Sequence, residues 1–194
     1  MLGLKLATDP KWVNIAEQNL SEILTDHAYC EQKAASNAIS IVLGWPQHDD
    51  LVRSMLSIAK EELTHFEMVF EKIKARGYTL GFERKDDYVN ELYKFMRKGH
   101  KRPIVLIDRL LFAAMIEARS CERFKILSSE IDDSELRDFY RDLMISEAGH
   151  YTTFLNFARK YGDAHEDVNK RWQQWLDYEA DIITKYGTKE TIHG

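Results

Sequence analysis

The chain contains few of the residues that interrupt helices, since only 3 of its 194 residues are proline and 9 are glycine. Long stretches are therefore free to form helices. No apolar run approaches the ~20 residues that a membrane-spanning helix needs, and the first residues lack the apolar core of a signal peptide. We accordingly expect an all-α, cytoplasmic protein without a membrane partner.

The chain also has few cysteines and no net positive charge. The two cysteines, Cys30 and Cys121, fall within predicted helices, and no Cys-x-x-Cys iron module is present. We expect two buried, reduced thiols. The formal net charge of −5 gives no sign of nucleic-acid binding by the chain as a whole, so any such contact needs a local basic patch.

Apolar residues are plentiful, at 44%, and they recur at helical spacing. This amount predicts one domain, 1–194, with a substantial core. Four long helices are predicted at about 20–43, 49–76, 104–129 and 133–161, with shorter or later ones at 11–17, 86–98 and 163–186. The pattern indicates a four-helix bundle with additional short helices.

The most informative motif is a Glu-x-x-His pair that occurs twice on long helices, each time 30 or 31 positions after a lone glutamate. The candidate metal ligands are Glu31, Glu62 and His65 in the first half and Glu117, Glu147 and His150 in the second. Residues three apart on a helix share a face, so each pair points one way. This is the pattern of ferritin-like di-iron carboxylate proteins, and we therefore expect two iron ions.

Hairpin geometry supports this choice of glutamates. Glu31 and Glu62 lie 16 and 15 residues from the centre of their predicted loop, and Glu117 and Glu147 about 14 and 15 from theirs, which brings each pair level. Glu122 is a rival for Glu117, but it would miss that level by roughly 9 Å. Its helical neighbours predict a salt-bridged or outer position instead.

Two further histidines need separate interpretations. His27, one turn before Glu31, is either an outer neighbour of the site or an ordinary core histidine. Glu190 and His193 form a third Glu-x-x-His pair, which we expect to fray because it lies in the last residues.

A basic stretch lies in the connection between the two halves. Residues 94–103 contain five cations and no acid: Lys94, Arg97, Lys98, Lys101 and Arg102. A solvated connection is the more common explanation of such a run. The alternative is a patch that contacts the phosphates of a nucleic acid.

Four segments together resemble the MiaE family of tRNA 2-methylthio-N6-isopentenyladenosine hydroxylases. They are Asp26-His-Ala-Tyr-Cys-Glu-Gln-Lys-Ala-Ala-Ser36, Glu61-Glu-Leu-Thr-His-Phe66, Ile116-Glu-Ala-Arg-Ser-Cys-Glu-Arg-Phe124 and Ser146-Glu-Ala-Gly-His-Tyr151. The resemblance implies a ferritin-like di-iron monooxygenase that uses O2 and an external electron donor to hydroxylate a prenylated adenosine in tRNA.

Two alternatives stay open at this stage. One is iron oxidation and storage, or peroxide scavenging, on the same fold. The other is a helical bundle without catalysis, whose motifs are coincidental. The basic stretch favours tRNA, since a ferroxidase has no use for a phosphate-binding patch. The sequence identifies neither the electron donor nor the oligomeric state.

Overall fold

The computed structural model describes residues 2–193, and all regular structure among them is helical. In chain order the described helices are α1 (Trp12–Gln18), α2 (Leu20–Gly44), α3 (Asp49–Ala75), α4 (Asp87–Lys94), α5 (Arg102–Glu130), α6 (Ser134–Gly162) and α7 (Val168–Tyr186). The all-α prediction is confirmed. None of these helices combines the length and the low polarity that crossing a membrane requires.

Two helices differ from their predicted bounds by four or more residues. Helix α4 ends at Lys94, four residues before the predicted end at Lys98. Helix α7 begins five residues later than predicted, because the carboxylate of Asp167 accepts a hydrogen bond from the backbone N–H of Lys170 and so caps the helix at Val168.

The described residues form two compact units, and one of them runs over Gln18–Lys85 with Glu190–Ile192. In this unit α2 and α3 pack along their lengths as a hairpin. Helical spacing predicts an inward stripe of seven residues on α3, and all of them are buried: Leu51, Met55, Ile58, Glu62, His65, Val69 and Ile73. On α2 the same spacing predicts that Val42 is buried near the loop, but the structure buries Ile41 there and leaves Val42 half-buried.

The other unit contains the described residues up to Glu17, then Asp86–Lys189, and His193. Here α5 and α6 form the second hairpin, and α4 and α7 pack against its helices. Trp172 and Trp175 of α7 are buried, as their spacing predicts. A single domain over 1–194 stays a prediction.

The prediction that the third Glu-x-x-His pair frays is wrong for its histidine. His193 is buried, with Nδ1 3.2 Å from a carboxylate oxygen of Asp86 and Nε2 3.0 Å from the hydroxyl of Ser120. Hydrogen bonding on both ring nitrogens makes the burial of this polar side chain tolerable. Glu190 is exposed, so the pair does not form a common site.

Candidate metal centre

The hairpin of α2 and α3 brings the first predicted ligand set together. Glu31, Glu62 and His65 are all buried. The Nδ1 atom of His65 lies 3.3 Å from a Glu62 carboxylate oxygen and 3.7 Å from one of Glu31. Each side chain offers a ligand atom within 4.8 Å of the others. Equal distances from the loop at Gly44–Asp49 account for this, as the hairpin geometry predicts.

The hairpin of α5 and α6 assembles the second set in the same way. Glu117, Glu147 and His150 are buried, and their ligand atoms also lie within 4.8 Å of one another. The Nδ1 atom of His150 is 3.7 Å from a carboxylate oxygen of Glu147. Ala113 and Ala114, one turn before Glu117, are buried and leave little side-chain volume beside it.

The chemistry of these donors fits iron. Crowded, buried carboxylates are costly unless a cation compensates their charge. Carboxylate oxygen and imidazole nitrogen suit iron or manganese better than a soft metal. The nearby thiol of Cys121 does not alter this set, because burial raises its pKa to about 11 and keeps it protonated at neutral pH. Cys30 is half-buried, whereas the sequence predicts that it is buried.

His27 contacts the first ligand set directly. Its side chain is fully buried, and Nε2 lies 2.6 Å from a carboxylate oxygen of Glu31. The two residues are one turn apart on α2, so the helix itself sets this contact. An imidazole in this place can fix the orientation of the Glu31 carboxylate.

Glu122, the rival of Glu117, belongs to a different cluster. Its carboxylate accepts a hydrogen bond from the backbone N–H of Thr8 at 2.8 Å and pairs with Arg119 at 2.9 Å. Arg119 also pairs with Glu179 of α7 at 2.6 Å, and Tyr88 donates its hydroxyl hydrogen to Glu179. Burial raises the pKa of both Glu179 and Tyr88.

Most of this cluster escaped sequence reasoning. The sequence identifies Arg119 only as a helical neighbour of Glu122, and it does not predict that Glu179 of α7 belongs to this cluster. The one available signal was that Glu179 and Trp175 are four apart, so this glutamate lies on the apolar face of its helix.

The cations of the basic stretch differ in exposure. Arg97 donates to both carboxylate oxygens of Asp108 at 2.8–2.9 Å and also pairs with Glu166, so its charge is compensated internally. Lys94 contacts Glu91. Lys98, Lys101 and Arg102 are exposed, and the ammonium of Lys98 lies 4.5 Å from the Tyr93 ring centre.

Similar proteins place this geometry in a known group. A family model described as tRNA-(MS[2]IO[6]A)-hydroxylase (MiaE) matches residues 2–194. Two relatives are named tRNA 2-(methylsulfanyl)-N(6)-isopentenyladenosine(37) hydroxylase. The one from Pseudomonas putida is 41% identical over 156 residues, 80% of this chain and 75% of the relative. The one from Salmonella typhimurium is 32% identical, over 93% of this chain and 83% of the relative.

A solved structure is similar along almost the entire chain. It is a Synechococcus protein described as having aldehyde deformylating oxygenase activity, 31% identical, with a TM-score of 0.88 over 98% of this chain and 95% of that protein. This likeness confirms the ferritin-like fold. With the family model matched from residue 2 to residue 194, the chain belongs to the MiaE family.

Proposed function

We propose that this protein is an O2-dependent di-iron monooxygenase that hydroxylates the isopentenyl group of 2-methylthio-N6-isopentenyladenosine in tRNA. The observation that carries the proposal is the family match over nearly the whole chain, together with two buried sets of carboxylate and imidazole donors. Two relatives named for this hydroxylation support the substrate. A tRNA substrate also agrees with the expected cytoplasmic location.

In this proposal the two donor sets hold one iron pair. Glu31, Glu62 and His65 would hold iron on the α2–α3 hairpin, and Glu117, Glu147 and His150 would hold it on the α5–α6 hairpin. The bound pair would supply O2 activation. In the overall reaction one oxygen atom enters a carbon–hydrogen bond and the other leaves as water, so an external donor must provide two electrons and two protons.

The side chains around the ligands have the remaining tasks. His27 would hold the Glu31 carboxylate in one orientation through their 2.6 Å contact. The small side chains of Ala35, Ala113 and Ala114 share helical faces with the glutamates and would leave room for a flat, apolar prenyl group.

For tRNA binding we propose the exposed cations Lys98, Lys101 and Arg102, with Lys94 at the edge. We leave out Arg97, because Asp108 and Glu166 already pair with it. Each phosphate contact that is lost should lower the slope of log affinity against log salt by about 0.7–0.9. Reversing the charges of the three exposed cations should show this loss with unchanged iron content. Wild-type affinity after the reversal would assign the stretch to a solvated connection.

The decisive experiment follows labelled oxygen. The reduced, iron-loaded protein is given ¹⁸O2 and isopentenylated tRNA, and the nucleosides are analysed by mass spectrometry. We expect one labelled atom in the modified adenosine, and none with the His150→Ala variant. Label that appears only in water, with iron loading far beyond two per chain, would instead support a ferroxidase or storage protein.

The Synechococcus neighbour provides a second candidate reaction, because its description names aldehyde deformylation. The same reduced protein should therefore also be given a long-chain aldehyde. Hydrocarbon formation that exceeds hydroxylation of the tRNA would favour this candidate. We expect the reverse, since the Pseudomonas putida relative is 41% identical to this chain over its matched residues and the Synechococcus protein is 31% identical.

A further inference from the structure

A groove opens to solvent between α2 and α3. Its volume is about 440 Å³, within the range of roughly 300–1,000 Å³ that is usual for small-molecule sites. Its apolar lining comes from Ala35, Ile39, Leu56, Ala59 and Leu63, and Lys60 lies among them. The groove belongs entirely to one hairpin, so its shape depends on the packing of α2 against α3.

The groove reaches the ligand-bearing helical faces. Ala35 lies one turn after Glu31 on the same face of α2, and Ala59 lies one turn before Glu62 on the same face of α3. Both alanines are 4% exposed and line the groove. Three or four residues of helix correspond to about 5 Å along the axis. The groove is therefore one helical turn from the two carboxylates.

Large apolar side chains stand at the groove and remain in contact with water. Ile39 is 41% exposed, Leu56 is 40% and Leu63 is 55%. Grouped apolar exposure of this kind marks binding surfaces more often than scattered exposure does. Lys60 brings a positive charge to the same place, and Gln32 brings a side-chain amide. The combination suits a ligand with an apolar part, a polar base and a nearby negative charge.

We propose that this groove receives the isopentenyl and methylthio groups of the modified adenosine, with Lys60 facing a phosphate of its nucleotide or a neighbouring one. The inference rests on the proposed function and identifies where its substrate enters. An extended prenyl chain is roughly 5 Å long, given carbon–carbon bonds of about 1.5 Å. This length matches the one helical turn between the alanines and the carboxylates. Prenyl carbons in the groove would thus reach the level of Glu31 and Glu62.

The main test measures selectivity in binding. Affinity of the iron-loaded protein is measured for two tRNA anticodon stem-loops, one with 2-methylthio-N6-isopentenyladenosine and one with plain adenosine. The double variant Leu56→Gln/Leu63→Gln should lose about tenfold of the preference for the prenylated stem-loop, because apolar contact is lost. Leu43→Gln is the matched control, since Leu43 is 78% exposed on α2 and is not among the groove-lining residues. It should keep the wild-type preference.

Two further variants separate the parts of the groove. Lys60→Gln should weaken both stem-loops equally and lower the salt slope by about 0.7. Ala35→Phe fills the groove and should reduce hydroxylation at least tenfold with unchanged iron content. Because Ala35 is buried and its variant can misfold, the exposed leucine variants provide the independent test.

The results distinguish this inference from the proposed function. A wild-type protein that does not hydroxylate prenylated tRNA would contradict the function itself. A protein that does so, but keeps its full prenyl preference in the Leu56→Gln/Leu63→Gln variant, would overturn the groove assignment alone. A dimer that dissociates on these substitutions without loss of preference would also overturn it and assign the groove to a second copy of the chain.

Discussion

Helix α5 is buried along most of its length and α2 is not: 17 of the 29 residues of α5 are buried, against 10 of 25 in α2. Yet each helix contributes one glutamate to an equivalent donor set. Around Glu117 the sequence Glu-Ala-Arg-Ser-Cys-Glu-Arg-Phe, from Glu117 to Phe124, is buried without interruption. Around Glu31 buried and exposed residues alternate with the helical period, and Gln32 and Ser36 face solvent.

The two helices are also held by different means. Ion pairs fix α5 on both sides of Glu117: Asp108 pairs with Arg97 and Arg171, and Arg119 pairs with Glu122 and Glu179. On α2, Glu31 contacts the imidazole of His27, and the adjoining surface opens into the groove. One ligand motif thus occurs within a buried, ion-paired framework and again beside an accessible surface. We therefore expect the α5–α6 hairpin to depend more on its ion pairs, whereas the groove proposed for the substrate lies on the α2–α3 hairpin.

The largest effect is expected when a ligand histidine is removed from either donor set, and comparing the two variants tests whether both sets bind iron. His65→Ala and His150→Ala should each remove iron from at least one position and reduce hydroxylation by more than about 100-fold, beyond the loss typical of outer partners. Iron analysis and the hydroxylation assay measure this. Glu122→Ala should keep two irons per chain. Loss of iron in Glu122→Ala, with retention in Glu117→Ala, would show that the hairpin argument chose the wrong glutamate.

The second prediction concerns the framework around α5. Arg119→Met leaves the buried carboxylates of Glu122 and Glu179 without their cation and should lower the free energy of unfolding by about 3–5 kcal/mol. Arg141→Met is the control, because Arg141 forms an exposed pair with Asp138 and its loss should change this free energy by about 0.5 kcal/mol or less. Urea unfolding provides both values. Equal effects of the two substitutions would contradict the proposal that buried ion pairs fix α5.

Much of this comparison could be predicted from the sequence, but not its most distinctive part. Helical periodicity and hairpin depth predict the six ligand positions and the stripe of α3, because both follow from local geometry. Helical spacing also predicts the local pair of Arg119 with Glu122. The other ion pairs of Arg97, Arg119 and Asp108 join residues that lie 60 or more positions apart or across a loop, which periodicity does not report. The sequence analysis does not predict the groove either. A usable signal is nevertheless present, because Leu56 and Leu63 are apolar residues that lie off the inward stripe of α3, on its solvent face.

The third prediction concerns the carboxylate of Asp108, which pairs with Arg97 and Arg171 in the same framework. Burial opposes the charge of Asp108, but hydrogen bonds from Arg97 and Arg171 prevail and lower its pKa below the usual 3.8. A lowered carboxyl pKa stabilises the fold above the unfolded value, and this stabilisation is lost as the pH falls through the lower, folded value. Asp108→Asn should therefore cost about 3 kcal/mol of unfolding free energy at pH 7. The difference from wild type should shrink below pH 4 in urea unfolding, and a difference independent of pH would contradict the assignment.

The smallest effect is expected at His27, on the more open hairpin. Its ring nitrogen lies 2.6 Å from a Glu31 oxygen, so it acts on iron only through the orientation of that carboxylate. His27→Gln should keep a hydrogen-bonding amide near Glu31 and lower iron affinity by about tenfold, whereas His27→Leu should lower it by up to about 100-fold. Competition with a chelator gives these affinities independently of activity. A structural histidine would instead lower the unfolding free energy in both variants and leave the iron affinity of the folded protein unchanged.

The matched substitution on the other hairpin is Ser120→Ala, which removes the hydroxyl that contacts His193 one turn after Glu117. If α5 is already fixed by its ion pairs, Ser120→Ala should change iron affinity less than His27→Leu does, and an equal or larger change would reverse the contrast between the two hairpins.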